Sequence, residues 1–499
     1  MPEIATVAPG ALDRFVLDLV EAGFGTTNGR TWRGPIDPSV ADLTTATTMT
    51  FHIDDSWPYR HPHLYVEGLR PSAHLNGTGL CLWRVGDDSL AWFRLDDLRA
   101  RIGQWSERYR GRATLDDPVL DAHLYWIPFN AAILATVDLS KIHWGNGGSG
   151  DATAKLEGDL LQIGEPGDLK VRWYGREDMR HPPVNMSMLT DGLKAEQARN
   201  LERELERVGQ PGGIDIVMLV WNTPVGEPNI LVIRLSRGDD GDVKGEAIEI
   251  ARIDDEVLIL RAGPEAPLLR TKSVAIFGQG AVGSNLTAFL ARSGLGKVMT
   301  VDGARLRPGD LVRHAGLRFS VGRSKVLAVN SIVSWVAPWT VVEPIRDSSW
   351  DPNAIAAAVS GHDLVIDAVG EWSFTDQLSR RLQNSAMPIL SIALYRGGFI
   401  ARARLRSPGG MPFHERSTST VFPTIPPGAL EEAPVWETGC ASPINNAPPT
   451  SVMSAAVLGA RIAVDVLTGR ETGNFDAIEV YRPLADEGFT VVGFRRVDG

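Results

Sequence analysis

Two hydrophobic periods alternate along the first hundred residues. ALDRFVLDLVEAG (11–23) repeats apolar positions at a helical interval and closes on glycine. TTMTFHI (47–53) and HLYVEGL (63–69) alternate apolar and polar residues and predict strands. HLNGTGLCLW (74–83) reads as a glycine-rich loop running into an apolar stretch that holds Cys81. WFRLDDLRARIGQWSERY (92–109) predicts an amphipathic helix with aspartates in its first turn.

The middle of the chain carries a weaker pattern. GNGGSGD (145–151) predicts a flexible loop, AEQARNLERELERV (195–208) a charged helix, and RGDDGDVKGE (237–246) a polar turn. IDIVMLVWN (214–222) and NILVIRL (229–235) predict strands. This region is expected to be a small α/β linker domain without chemistry of its own.

From about residue 263 the pattern sharpens. KSVAIFG reads as a buried-type strand, GQGAVGS as a glycine-rich turn and NLTAFLARSG as a helix; KVMTVD and DLVIDAV (363–369) read as further strands. Strand, helix and strand in that order predict a doubly wound parallel sheet. Prolines crowd 408–449, and a helix, SVMSAAVLGARIAVDVLTG, follows and ends at Gly469. The expected fold class is therefore α/β multidomain, with domains at 1–125, 126–262 and 263–499.

Composition narrows the functional classes. At 499 residues the chain exceeds one ordinary core. Its net charge of -11 argues against nonspecific nucleic-acid binding. Two cysteines exclude a disulfide framework and a four-cysteine zinc site, and they suit a reducing, cytoplasmic setting. The start of the chain lacks the pattern of a secretion signal, and no run of about 18 apolar residues predicts a membrane span. The histidines lack zinc-enzyme spacing; His61 and His63 share one face of an extended chain and read as strand or surface residues. Neither a nucleophile-elbow serine nor a Walker phosphate loop is present.

The chemistry concentrates at GQGAVG. Gly278, Gly280 and Gly283 permit a tight turn, close approach to phosphate and helix–strand packing, and the helix N-terminus favours an anion. Asp302 ends the next strand, where an acid meets ribose hydroxyls. On these residues alone a dinucleotide and ATP both remain open. Arg313 in PGDLVRHAG and Lys325 in VGRSKV favour a triphosphate attacked at its α-phosphorus. In this combination residues 270–370 resemble the adenylating domain of the ThiF, MoeB and ubiquitin-activating superfamily. The resemblance implies ATP and Mg2+ as cofactors, with Asp302, Arg313 and Lys325 at the ribose and phosphate positions. Many members carry Thr-Asp-Asn after the later strand; here that aspartate's place is taken by Gly370, which leaves Asp367 as the candidate magnesium ligand. The paired Cys-x-x-Cys motifs of MoeB and ThiF are absent.

The two thiols extend the resemblance. Cys440 lies in a Gly- and Pro-rich stretch ahead of a helix, where the ubiquitin-activating branch carries its thioester cysteine. Around Cys81, Tyr59 and Pro62, then His74-Leu75-Asn76, then Gly79-Leu80-Cys81-Leu82 resemble the ubiquitin-conjugating fold. That resemblance implies an α+β N-terminal domain, with Asn76 stabilising the oxyanion formed when an amine attacks a thioester and His74 in a structural role. Leu75 departs from the family's proline. Together the parts resemble bacterial fusions of conjugating and activating domains, such as the ancillary conjugation enzymes of CBASS anti-phage operons. The implied activity is adenylation of a protein's C-terminal carboxylate, thioester formation on Cys440, transfer to Cys81 and ligation to a target amine. The implied partner is a cGAS-like nucleotidyltransferase or a ubiquitin-like protein, and a homodimer is implied through 263–499. Adenylation of a sulfur-carrier protein, an NAD-dependent oxidoreductase and a non-catalytic scaffold are the competing readings.

Overall fold

The computed structural model describes residues 10–57, 59–72, 75–83, 92–110, 122–176, 181–223, 226–348, 350–416, 446–484 and 489–498. The chain divides into two compact units, 1–254 and 255–499.

The first unit contains two separate sheets. Helix α1 (Ala11–Glu21) precedes a six-stranded sheet of β1 (Gly25–Thr26), β2 (Thr31–Pro35), β3 (Thr48–His52), β4 (His63–Tyr65), β5 (Leu75–Asn76) and β6 (Gly79–Leu80), and α2 (Leu95–Tyr109) follows. The strand order is β1-β2-β3-β4-β6-β5, antiparallel throughout. Alternation places Phe51, Leu64 and Leu80 inward, where they pack with Phe15 and Leu19 of α1 and Leu98 and Ile102 of α2. On the other face of these strands His63 and Tyr65 are exposed and Thr50 and His52 half-buried.

The middle region departs from the expected α/β linker. Seven strands close into a barrel: β7 (Phe129–Val137), β8 (Ser149–Glu157), β9 (Leu160–Ile163), β10 (Leu169–Arg176), β11 (Ile216–Asn222), β12 (Pro228–Arg237) and β13 (Val243–Arg252). Helices here are α3 (Leu139–Ile142) and α4 (Ala195–Leu205). One residue parity fills the interior with Val137, Val171, Met218 and Val232, among others. The opposite parity of β10–β13 packs Tyr174, Leu219, Trp221 and Ile233 against Leu201 of α4. GNGGSGD is a fitted turn rather than a flexible loop. Gly147 N–H donates to Gly175 O at 2.9 Å and Gly175 N–H to Gly148 O at 2.8 Å. A Cβ on Gly150 would lie 2.7 Å from the Trp173 ring, so the glycine makes room for the indole.

The second unit opens with α5 (Asp255–Leu258) and α6 (Ala266–Leu269). An eight-stranded sheet follows, with β14 (Ser273–Phe277), α7 (Ala281–Arg292), β15 (Lys297–Val301), α8 (Lys325–Val336), β16 (Val341–Ile345), α9 (Pro352–Val359), β17 (Leu364–Asp367), α10 (Trp372–Arg381), β18 (Ile389–Tyr395), β19 (Ile400–Arg406), α11 (Pro449–Leu467), β20 (Phe475–Val480) and β21 (Gly493–Asp498) in chain order. The spatial order is β16-β15-β14-β17-β18-β19-β20-β21. The first five are parallel, as the apolar runs predict, and the last three add an antiparallel extension. Val274 and Ile276 face α7 and α11, whereas Ala275 and Phe277 face α9 and α10. α11 is long and apolar enough to cross a membrane by length and composition. Its Ala455, Ala456, Ile462 and Ala463 belong to the core of this unit, and Gly459 lets it close on Leu286 and Ile392.

Candidate functional site

The chain order of the parallel strands reverses between β14 and β17, so a crevice opens beyond their C-terminal ends. Gly278 directly follows β14 there with φ +83°, a conformation that favours glycine. A Cβ on it would stand 2.8 Å from the Ala368 carbonyl after β17. A Cβ on Gly283 would run into the Gly278 carbonyl oxygen, whereas one on Gly280 would meet open space. The three glycines thus divide their tasks: Gly278 and Gly283 permit close packing, and Gly280 leaves room for a ligand.

The loop is fixed by a buried polar frame. Gln279 N–H donates to Asp302 Oδ2 at 2.8 Å, and Ala304 N–H donates to Asp302 Oδ1 at 2.7 Å. Gln279 is itself buried; its side-chain oxygen accepts from Thr287 Oγ1 at 3.0 Å, and its carbonyl lies 2.9 Å from His314 Nε2. Because Gly316 N–H donates to His314 Nδ1 at 2.7 Å, the imidazole hydrogen sits on Nε2 and donates to Gln279 O. Burial lowers the His314 pKa and keeps this strut neutral. Gln279 and His314 were not singled out from sequence; a glutamine inside the glycine turn and a histidine among small apolar residues were the available signals.

The crevice holds about 430 Å³ and is lined by Gly278, Gly280, Asp302, Lys325, Trp350 and Glu371, together with Gly303 and Ala368. Three helices start at this lining: Gly280 caps α7, Lys325 opens α8 and Glu371 caps α10. Helix N-termini carry partial positive charge, so a lysine at that end is electrostatically costly on its own and fits where an anion joins it. Lys325 Nζ lies 3.6 Å from Asp310 Oδ2, which holds the ammonium beside the lining. Each Asp302 oxygen accepts one backbone hydrogen bond, leaving further lone pairs for hydroxyl donors.

Not every expected residue joins this set. Arg313 sends its guanidinium to the Ala447 carbonyl at 3.4 Å, just before α11, and its own carbonyl accepts from Asn285 Nδ2 at 2.8 Å. Asp367, the expected magnesium ligand, is buried beneath α10 rather than turned into the crevice. Its Oδ2 accepts from Thr375 Oγ1 at 2.5 Å and Ser391 Oγ at 3.0 Å, and its Oδ1 accepts from Val369 N–H at 3.0 Å. Burial raises its pKa, against these three donors. Register explains the orientation: Asp367 pairs with Phe277, whose face of the sheet lies under α10. The exposed Glu371 faces the crevice instead, and sequence reasoning missed it. Among the described residues no three His, Cys, Asp or Glu side chains come together to hold a metal.

Residues 261–476 match the profile of the ThiF family. The ThiF-family domain therefore contains the whole crevice. Relatives of known name align with parts of the chain. The molybdopterin-synthase adenylyltransferase of Salmonella typhimurium is 27% identical over 137 residues, covering 27% of this chain and 53% of that protein. The ATP-dependent ubiquitin transferase-like protein Cap2 of Pseudomonas aeruginosa is 30% identical over 165 residues, covering 32% of this chain and 29% of that protein. The chain thus spans about half the length of the first and under a third of the second. Among solved structures, that of E. coli MccB with ATP aligns at TM-score 0.36 and 15% identity, over 48% of this chain and 66% of MccB.

In the first unit, β5 and β6 form a tight hairpin with Asn76 paired to Gly79, and Cys81 follows directly. Cys81 is a free, exposed thiol. Partial desolvation by its neighbours raises its pKa. His74 and Cys440 lie outside the described residues.

Proposed function

We propose that the chain uses ATP to adenylate the C-terminal carboxylate of a protein or peptide, and that the acyl group then passes through Cys440 and Cys81 to an amine. The observation that carries the first step is the convergence of three helix N-termini and Lys325 on one crevice beside Asp302. A ribose on Asp302 places the phosphates across Gly278 and Gly280 toward Lys325. A carboxylate oxygen attacks the α-phosphorus, a P–O bond forms, and the bond to pyrophosphate breaks. Lys325 and the helix N-termini offset the negative charge that grows on the phosphates. Mg2+ carried with the triphosphate supplies further positive charge. On the protein side we assign Glu371, which lines the crevice, the role of meeting it, because the oxygens of Asp367 are engaged elsewhere.

The names of the relatives support this reading, since one is an adenylyltransferase and another a ubiquitin transferase-like protein. The second stage rests on the two thiols. Cys440 receives the acyl group as a thioester, Cys81 takes it over, and the Asn76 amide steadies the oxyanion as an amine attacks. Covalent relay divides one hard acyl transfer into easier ones. A reducing cytoplasm keeps both thiols available, a homodimer forms through the ThiF-family domain, and the activated partner is a cGAS-like or ubiquitin-like protein, as in CBASS systems. The test combines ATP–pyrophosphate exchange with intact mass spectrometry of the chain, ATP and the polypeptide encoded beside it. A thiol-sensitive adduct on Cys440 or Cys81 supports the relay; exchange without any such adduct overturns it and leaves adenylation alone, the sulfur-carrier reading. That second reading is favoured by the molybdopterin-synthase adenylyltransferase match.

A further inference from the structure

The face of the first sheet turned away from its core carries His52 and His63, paired across β3 and β4. Strand β4 pairs antiparallel to β6 with Tyr65 opposite Gly79. Continuing that register by one outward-facing pair sets His63 opposite Cys81, and by one more sets His61 opposite Trp83. The rings of His61 and Trp83 are stacked with centroids 4.6 Å apart, which independently places the chain in this register beyond the paired residues. Burial alternates accordingly: Leu64, Leu80 and Leu82 are buried, whereas His63 and Cys81 are exposed. On the far side of β4, His52 of β3 pairs with His63. His52 and His63 therefore stand side by side on β3 and β4, and the continued register brings Cys81, just past the end of β6, into line with them.

We infer that His63 is the general base for Cys81: the imidazole takes the thiol proton as the sulfur attacks an acyl donor. The chemistry matches the surroundings of both groups. Partial desolvation keeps the thiol protonated near neutral pH, so it needs a base to become a nucleophile. His63 is neutral there and can serve, because its pKa is lowered, chiefly by desolvation and then by the nearby His61, His52 and Arg60, with Asp54 opposing. An aromatic chain fixes the base: His63 lies 5.5 Å from His61, His61 stacks on Trp83, and Trp83 meets the buried Trp92 at 5.6 Å. In the step itself the Sγ–C bond forms, the Sγ–H proton passes to the unprotonated ring nitrogen of His63, and the donor's bond to its leaving thiolate breaks. The imidazolium then returns its proton to that thiolate.

This inference rests on the conjugation reading for its acyl donor and not for the thiol–imidazole pair, so the pair is tested alone. The rate at which iodoacetamide alkylates Cys81 is followed against pH on the full chain, by mass spectrometry of the Cys81 peptide so that Cys440 does not contribute. His63→Ala lowers the rate near pH 7.5 by about tenfold or more, within the reach of a positioned base. Free imidazole restores it, and the two proteins converge at alkaline pH where the thiol ionises unaided. His52→Gln, a neighbour not opposite the sulfur, changes the rate less. An unchanged rate in His63→Ala, or a loss that persists at alkaline pH and is not rescued by imidazole, overturns the inference. Cys81→Ala judges the wider reading separately: lysine-linked product that still forms in this variant sinks conjugation through Cys81 and leaves the alkylation result standing.

Discussion

The crevice of the ThiF-family domain and the sheet face around Cys81 are built by opposite means. The crevice is backbone work. Gly278 is wedged against Ala368, Asp302 holds two N–H groups, and helix N-termini supply the field. The Cys81 face is side-chain work on a sheet surface, where strand register sets His52 of β3 beside His63 of β4 and Cys81 follows β6. Backbone sites tolerate almost no added atom where the chain closes on itself. Sheet-surface sites tolerate substitution and lose only the chemistry of the replaced group.

The largest expected effect breaks the first site outright. Gly283→Ala and Gly278→Ala push a methyl into backbone, and each should destabilise the ThiF-family domain by about 3 kcal/mol or more, read as a drop in Tm. Gly280→Ala meets open space and should leave stability within roughly 0.5 kcal/mol of wild type while weakening ATP binding. Equal Tm losses at all three positions would erase this division of roles.

Next in size is Lys325→Ala, which should lower pyrophosphate exchange by about 10²-fold with Tm nearly unchanged. Carboxylate swaps sharpen the same point. Glu371→Gln should raise the Mg2+ concentration needed for half-maximal exchange. Asp367→Asn should leave that concentration unaltered and shift Tm, since its contacts are internal. A reversed pattern would return the metal role to Asp367.

The smallest effect is a pH dependence. His314 has a lowered pKa in the folded protein, so its contribution to stability is complete above the ordinary histidine value of about 6.5 and is lost as pH falls through the lower folded value. Tm of the chain should decline as pH falls below that point, and His314→Gln should flatten that part of the decline.

The contrast also explains what could be read in the sequence. That Gly278, Gly280, Asp302 and Lys325 would gather at one place was legible because their constraints are local: a turn, a strand end, a helix start. Asp367 was misplaced because an acid ending a strand reads alike whether it points into a crevice or under a helix; only pairing with Phe277 decides. Glu371 gave no signal, being one exposed glutamate among many until α10 begins at the crevice. The barrel was hidden for a related reason. Its strands β8 and β13 alternate with charged residues, and the glycines that fit Trp173 look like a loop. His61 and His63 were set aside as strand or surface histidines; His63 opens β4 and His61 lies just before it, stacked on Trp83, and neither placement is visible until the strands pair.

The central claim is that the crevice takes a nucleoside triphosphate rather than a dinucleotide, and calorimetric titration of the full chain with ATP and Mg2+, beside NAD, tests it most directly. Wild type should bind ATP and not NAD, and Lys325→Ala should lose most of that affinity. Tighter binding of NAD, or ATP binding indifferent to Lys325, would contradict the account.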